Sequence, residues 1–273
     1  MFKDYKILQK NADGKRHYEV ETPDGKKYKL VGNTTLLDKF KNKDALFAWR
    51  QSIGEEAAQE ITTKAANRGT KVHTLVEHYL TDRVLPTSED SDTYNCFLRL
   101  KPVLDIITPF ALEKKVYWVN DDGNGFAGTL DIGGHIDTSR LVGRVSGAFG
   151  EGSASFIGDW KTFNKPKYPV ASTKDGIKFY PLMGYALQLA AYTAACNQQS
   201  DCFYALNKTF IFGVTSTCRA AYVYYFSPDA VNWYWDRYRE ILHCYYSNDW
   251  FDWTLMEQRA SDLNFLGERV DLI

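Results

Sequence analysis

The chain reads as an α/β protein, a mixed sheet with helices packed on it. Three observations point there. Helical and strand-like segments follow one another in the order helices, three strands, helix, two strands, helix. The central strand-like segments are joined by the turn-rich stretches 120–125 and 143–152, as in a meander. At 273 residues the chain is long enough to bury one large core, with small additions.

Each element has its own local reason. Residues 16–31 alternate as a hairpin, with Tyr18 and Val20 on one arm, Tyr28 and Leu30 on the other, and Pro23-Asp24-Gly25 carrying the reversal. A first helix is expected over 36–50. A long one follows over 54–80, where Ala58, Ile61, Ala65, Gly69, Val72, Val76 and Tyr79 recur at helical spacing. Residues 94–107 form a further amphipathic segment, with Pro102 placed to kink or break it. Segments 112–119, 126–138 and 155–162 read as strands, 180–196 as a helix, and 209–214 and 221–226 as strands. Ser227-Pro228-Asp229 then opens a helix reaching about residue 246, serine as N-cap and proline in the first turn.

Hydrophobic content of 44% and charged content of 25% are those of an ordinary soluble protein. No apolar run approaches the roughly 20 residues of a membrane span, so no membrane partner is expected. Met1-Phe2-Lys3-Asp4-Tyr5-Lys6 carries neither a signal-peptide core nor a transit-peptide bias, which makes the cytoplasm the expected compartment. The five cysteines (Cys96, Cys196, Cys202, Cys218, Cys244) include no C-x-x-C pair and read as buried thiols. Charge is uneven. Residues 1–50 hold 12 Lys/Arg against 7 Asp/Glu, a local +5, while the remainder holds 21 against 27. The chain is thus expected to divide into a basic hairpin-and-helix region, 1–50, packed on a core formed by 51–273 with a C-terminal helical extension. A basic N-terminal region can track a phosphate backbone; a solvated lysine-rich surface explains the same charge equally well.

Chemistry concentrates in a few positions. Asp159 and Lys161 are two apart in a strand-like segment, so both project from one face, roughly 6–7 Å apart. Asp131 ends a second apolar segment after Gly128-Thr129, where glycine allows close approach. On the long helix His73 lies near the Gly69, Val76 and Leu80 stripe at about 100° per residue, so it faces inward, as does Glu77 one turn later. Imidazole with two carboxylates suits Mn²⁺, and the carboxylates suit Mg²⁺ or Mn²⁺. Glu113 and Glu77 can reach the same pocket as supporting or second-metal carboxylates, or Glu113 can stand on the surface beside Lys114 and Lys115. Gln188 and Tyr192 share a helix face, placed to orient a lysine and touch a phosphate. Arg68, before Gly69-Thr70, is a candidate phosphate clamp.

The ordered set Arg68-Gly69-Thr70…His73…Glu77, Ala127-Gly128-Thr129-Leu130-Asp131, Asp159-Trp160-Lys161-Thr162 and Gln188…Tyr192 resembles the RecB-type branch of the PD-(D/E)XK nucleases. Within it the set is similar to the mitochondrial genome maintenance exonucleases and their phage relatives. The likeness covers roughly residues 30–195. It implies a restriction-endonuclease-like αβββαβ core and a Mg²⁺- or Mn²⁺-dependent DNA exonuclease acting on single strands from free ends, in replication, recombination or repair. By matching position, His73, Asp131 and Asp159 would be metal ligands and Lys161 the catalytic lysine. Gln188 and Tyr192 would assist, with Arg68, Thr70 and Thr162 on the DNA. Some relatives carry a four-cysteine iron–sulfur cluster; the cysteines here do not match that pattern, so none is expected. A bacterial or phage-infected cell is the implied setting. The rival readings are an endonuclease on duplex or branched DNA, and a non-catalytic single-strand-binding module on a nuclease fold.

Overall fold

The computed structural model describes residues 5–12, 15–143, 152–172, 176, 178–199 and 205–272. The protein is α/β, with a mixed parallel and antiparallel sheet flanked by helices. The first part of the chain forms β1 (Lys6–Ala12), β2 (Lys15–Glu21), β3 (Lys27–Gly32), α1 (Asn33–Phe40), α2 (Asp44–Ile53), α3 (Glu55–Asp82) and α4 (Ser91–Leu104). The middle forms β4 (Ile107–Val119), β5 (Gly125–Asp137), β6 (Leu141–Val142), β7 (Ser153–Thr162), β8 (Ala171–Ser172), β9 (Lys178–Phe179) and α5 (Met183–Gln199). The last part forms β10 (Thr209–Val214), β11 (Tyr222–Phe226), α6 (Pro228–Ser247), α7 (Trp253–Asp262) and β12 (Glu268–Leu272).

The main sheet runs β1-β2-β3-β5-β7-β10-β11-β12-β6, with β4 paired to β5. β5 is antiparallel to both β4 and β7, whereas β10 is parallel to β7 and β3 parallel to β5. Two apolar cores cover the two faces. α3 and α4 pack with Ile132, Phe156, Trp160, Phe210 and Phe212 on one face. α5 and α6 pack with Phe126, Leu130, Ile157, Ile211 and Tyr224 on the other.

Several local expectations need correction. The 16–31 hairpin gains a third strand, β1, which pairs with β2 along its whole length. The helix expected over 36–50 is two helices, because Asn42 Oδ1 takes the Asp44 N–H at 2.7 Å and starts a new segment there. Pro102 does not break α4, which runs on to Leu104; its missing N–H forgoes the one intrahelical bond to the Leu98 carbonyl. The C-terminal extension is not wholly helical, since β12 returns to pair with β11. Of the 143–152 linker, 144–151 lie outside the described residues, as does Cys202. Cys96, Cys196 and Cys218 are buried free thiols. Residues 1–50 join the larger region through β3, which continues its sheet at Val31 and Gly32. Among the described residues no helix is long and apolar enough to cross a membrane.

Candidate metal centre

The site lies where the sheet forks. β3 and β7 use the same edge of β5: β3 meets it at Phe126 and Ala127, and β7 meets it only from Ile132 onward. Residues 128–131 face the gap. β5 also turns over there. Leu130 enters the α5/α6 core and Ile132 the α3/α4 core, although residues two apart in an undistorted strand share a face. Across the ladder, the β4 register pairs Leu112 with Ile132 and Lys114 with Leu130, and passes over Glu113 and Asp131 between them. Glu113 has φ 44°, the left-handed region that costs a non-glycine residue about 1–3 kcal/mol. The strain and the reversal fall on two opposed carboxylates.

With β7 swinging away, the Trp160 N–H is taken by a side chain, Asp131 Oδ2, at 3.0 Å. The Trp160 carbonyl oxygen lies 3.0 Å from His73 Nε2. A carbonyl only accepts, so Nε2 carries the hydrogen, and in the neutral ring Nδ1 keeps its lone pair. That nitrogen is 3.6 Å from both Glu113 Oε1 and Asp131 Oδ2. The ligand atoms of His73, Glu113 and Asp131 all lie within 4.8 Å of one another. A ring whose far N–H is fixed by a backbone carbonyl is the usual arrangement of a metal-binding histidine.

Asp159 and Lys161 project together towards the α5 side and form an ion pair, with both side chains buried or nearly so. Asp159 Oδ1 is buried with no hydrogen-bond partner. Burial, with the Asp131 carboxylate adding to it and Lys161 opposing, holds the Asp159 carboxyl above its ordinary range. Burial alone would lower Lys161, but Asp159 and then Asp131 outweigh it and raise its pKa. His73 is likewise pulled down by burial, and Glu113 and Asp131 overcome this to bring it to about 9. In the metal-free protein the imidazole is therefore a cation, compensating acids that would otherwise repel. The two carboxylates of Glu113 and Asp131 and the oriented imidazole of His73 form a donor set whose chemistry fits Mg²⁺ or Mn²⁺.

The surrounding cavity has a volume of about 590 Å³ and takes walls from both faces of the sheet. α3 supplies Thr70, His73 and Glu77; α5 supplies Gln188 and Tyr192. Gly128 makes room for Tyr192, since a Cβ there would lie 2.5 Å from the phenol oxygen. Burial, and then the charges of Asp131 and Asp159, push the Tyr192 pKa well up, so the phenol stays a proton donor. Arg68 points elsewhere and donates to Asn164 Oδ1 at 2.5 Å. Thr162 lines an adjoining hollow. The grouping within 4.8 Å contains Glu113 rather than Asp159, which stands behind Asp131 against Lys161. Sequence reasoning passed over Asn33, which is buried at the cavity wall. It donates to the Gln188 carbonyl at 3.3 Å and accepts from Tyr238 at 3.0 Å, tying α1 to α5 and α6. Its place immediately after Gly32 was the only available signal.

A second hollow, about 650 Å³, shares Arg16 and Thr34 with this cavity. Lys15, Arg16, Lys39, Lys41 and Lys43 line it against a single carboxylate, Asp38, which Lys43 holds at 2.8 Å. Burial lowers the Lys41 pKa, with Asp38 opposing and Lys167 and Lys161 adding to the shift. Five of the twelve basic residues of 1–50 thus stand beside the site. No protein-family model matches the chain, and no curated protein matches it.

Proposed function

We propose that the chain is a Mg²⁺- or Mn²⁺-dependent deoxyribonuclease, an exonuclease taking single-stranded DNA from free ends in replication, recombination or repair. The observation that carries this reading is the convergence of His73, Glu113 and Asp131 next to the Asp159–Lys161 pair, at one fork in the sheet. The basic hollow joined to it through Arg16 supports a polyanionic substrate. The chain order α3, β4, β5, β7, α5, β10 supports the finer fold reading, a restriction-endonuclease-like αβββαβ core.

His73, Glu113 and Asp131 would hold the cation, with Asp159 as a further ligand or as the anchor of Lys161. A bound divalent ion supplies Lewis acidity, lowering the pKa of water and polarising a phosphate oxygen. The chain's own groups do the rest. Asp159 fixes the Lys161 ammonium at the cavity wall, where it donates to the attacking water or to charge growing on phosphorus. Water adds to phosphorus and gives up a proton to solvent, the P–O bond to the leaving sugar breaks, and that oxygen takes up a proton from solvent. The protonated Tyr192 phenol and the Gln188 amide give neutral donors for the non-bridging oxygens. Asp131 keeps the Trp160 backbone, and through it His73, in place.

The test is digestion of end-labelled linear and covalently closed circular single strands with Mg²⁺, Mn²⁺ or EDTA. Metal-dependent release from linear strands with circles spared is the expected result. Cutting of circles would turn the reading to an endonuclease, and undiminished cleavage in excess EDTA would sink the metal.

A further inference from the structure

Beyond the Lys161–Thr162 segment lies a hollow of about 780 Å³ that the proposed chemistry does not use. Its walls carry the rings of Trp49, Phe163, Tyr168, Phe179 and Tyr185. Tyr168 is 50% exposed and Phe179 42%, so these rings offer their area to something outside the fold. The loop that presents Tyr168 is held at three points. Phe163 N–H donates to the Val214 carbonyl at 2.7 Å, Lys167 Nζ donates to the Tyr185 hydroxyl at 3.0 Å, and the Tyr224 hydroxyl donates to the Lys167 carbonyl. An ordered loop showing an exposed ring suits recognition, because little conformational freedom is lost on binding.

The hollow and the metal centre flank one wall. Lys161 lines the catalytic cavity and Thr162 the hollow; on α3, Gly69 lines the first and Ala65, one turn earlier, the second. Lys161 Nζ stands 5.3 Å over the Tyr185 ring, which marks the boundary. The described lining includes Lys165 and Lys167 and no carboxylate. Aromatic faces with two lysines among them, within reach of a phosphodiester site, match a strand whose bases stack while its phosphates meet lysines. Within a duplex each base is covered above and below by its neighbours, so successive bases can lie on these rings only when the strand is unpaired and unstacked.

We propose that this hollow binds the unpaired bases adjoining the phosphate held at the metal centre, and so selects single strands; the proposal rests on the nuclease reading. Binding is measured by fluorescence anisotropy in EDTA, where no cleavage occurs. The probes are a labelled twelve-residue oligothymidylate and an abasic strand with the same number of phosphates. The wild type should bind the oligothymidylate about 5- to 150-fold tighter, from the free energy of stacking one base. Tyr168→Ala and Phe179→Ala should each remove most of that preference and leave abasic binding unchanged. Trp250→Ala, which removes an exposed ring on the far side of α6, should alter neither. Equal binding of the two strands by the wild type overturns the proposal, and this comparison needs no variant to fold. Oligothymidylate binding indifferent to Tyr168 and Phe179 also overturns it, and would leave the hollow to an apolar peptide. Failure of the nuclease reading shows separately, as loss of metal-dependent cleavage with the base preference intact.

Discussion

Strand β7 passes through two environments that meet at Gly158. From Ser153 to Gly158 it is laddered to β5, and Phe156 packs edge-on against Phe210 and Phe212 at ring separations of 5.3 and 5.8 Å. From Asp159 to Thr162 it keeps β10 but loses β5. In the first stretch the ladder satisfies the backbone, so the side chains are free to be apolar. In the second, a side-chain carboxylate must take the Trp160 N–H, and the buried charges need counter-charges. Apolar packing and the proposed chemistry are thus separated along one strand by the end of a ladder.

The largest effects should fall on opposite readouts at the two ends. Phe156→Ala should lower stability by about 3–5 kcal/mol in urea unfolding, while turnover per folded molecule survives. Asp131→Asn or Asp159→Asn should do the reverse, cutting metal-dependent cleavage on the order of 10³-fold or more with the fold retained. A stable Phe156→Ala protein, or an active Asp131→Asn protein, would break the contrast. Lys161→Ala comes next. Its rate should fall by about 10²–10³-fold with DNA binding kept, as when one transition-state donor is lost. Normal turnover would reduce Lys161 to an ion-pair partner. Gly128→Ala should cost about 1–3 kcal/mol by overpacking against Tyr192, and Tyr192→Phe in that background should recover part of it.

The smallest effect concerns protons. His73 in the metal-free protein has its pKa raised above the ordinary 6.5 to about 9. Its stabilisation is therefore fully present below pH 6.5 and lost as pH rises through about 9. Denaturation of wild type and His73→Gln without metal should converge at the alkaline end of that window. Cation and proton compete for Nδ1, so Mn²⁺ affinity should rise with pH across the same range.

Much of this was legible in the sequence. Strand periodicity put Asp159 and Lys161 on one face, and helical spacing turned His73 inward. Ser227 and Pro228 marked the start of α6, where the serine hydroxyl caps Ala230 N–H at 3.2 Å. What escaped depended on partners far along the chain. Glu113 beside two lysines reads as surface, and only its left-handed backbone opposite Asp131 brings it to His73. The reversal of β5 between Leu130 and Ile132 defies period-two reading, because the fork that permits it is set by β3 and β7. Of the Trp233-Tyr234-Trp235 run only Tyr234 is buried; Trp235, 5.0 Å from Trp118, and Trp233, 6.1 Å from Phe265, are half-buried.

The most direct test of the central claim is a Mn²⁺ titration read by the electron paramagnetic resonance of the free ion, with cleavage of linear single-stranded DNA followed in the same samples. Saturable Mn²⁺ binding to the wild type is expected, with cleavage rising with occupancy and both lost in Asp131→Asn and Glu113→Gln. Equal Mn²⁺ binding by the variants, or cleavage that ignores occupancy, would contradict the claim.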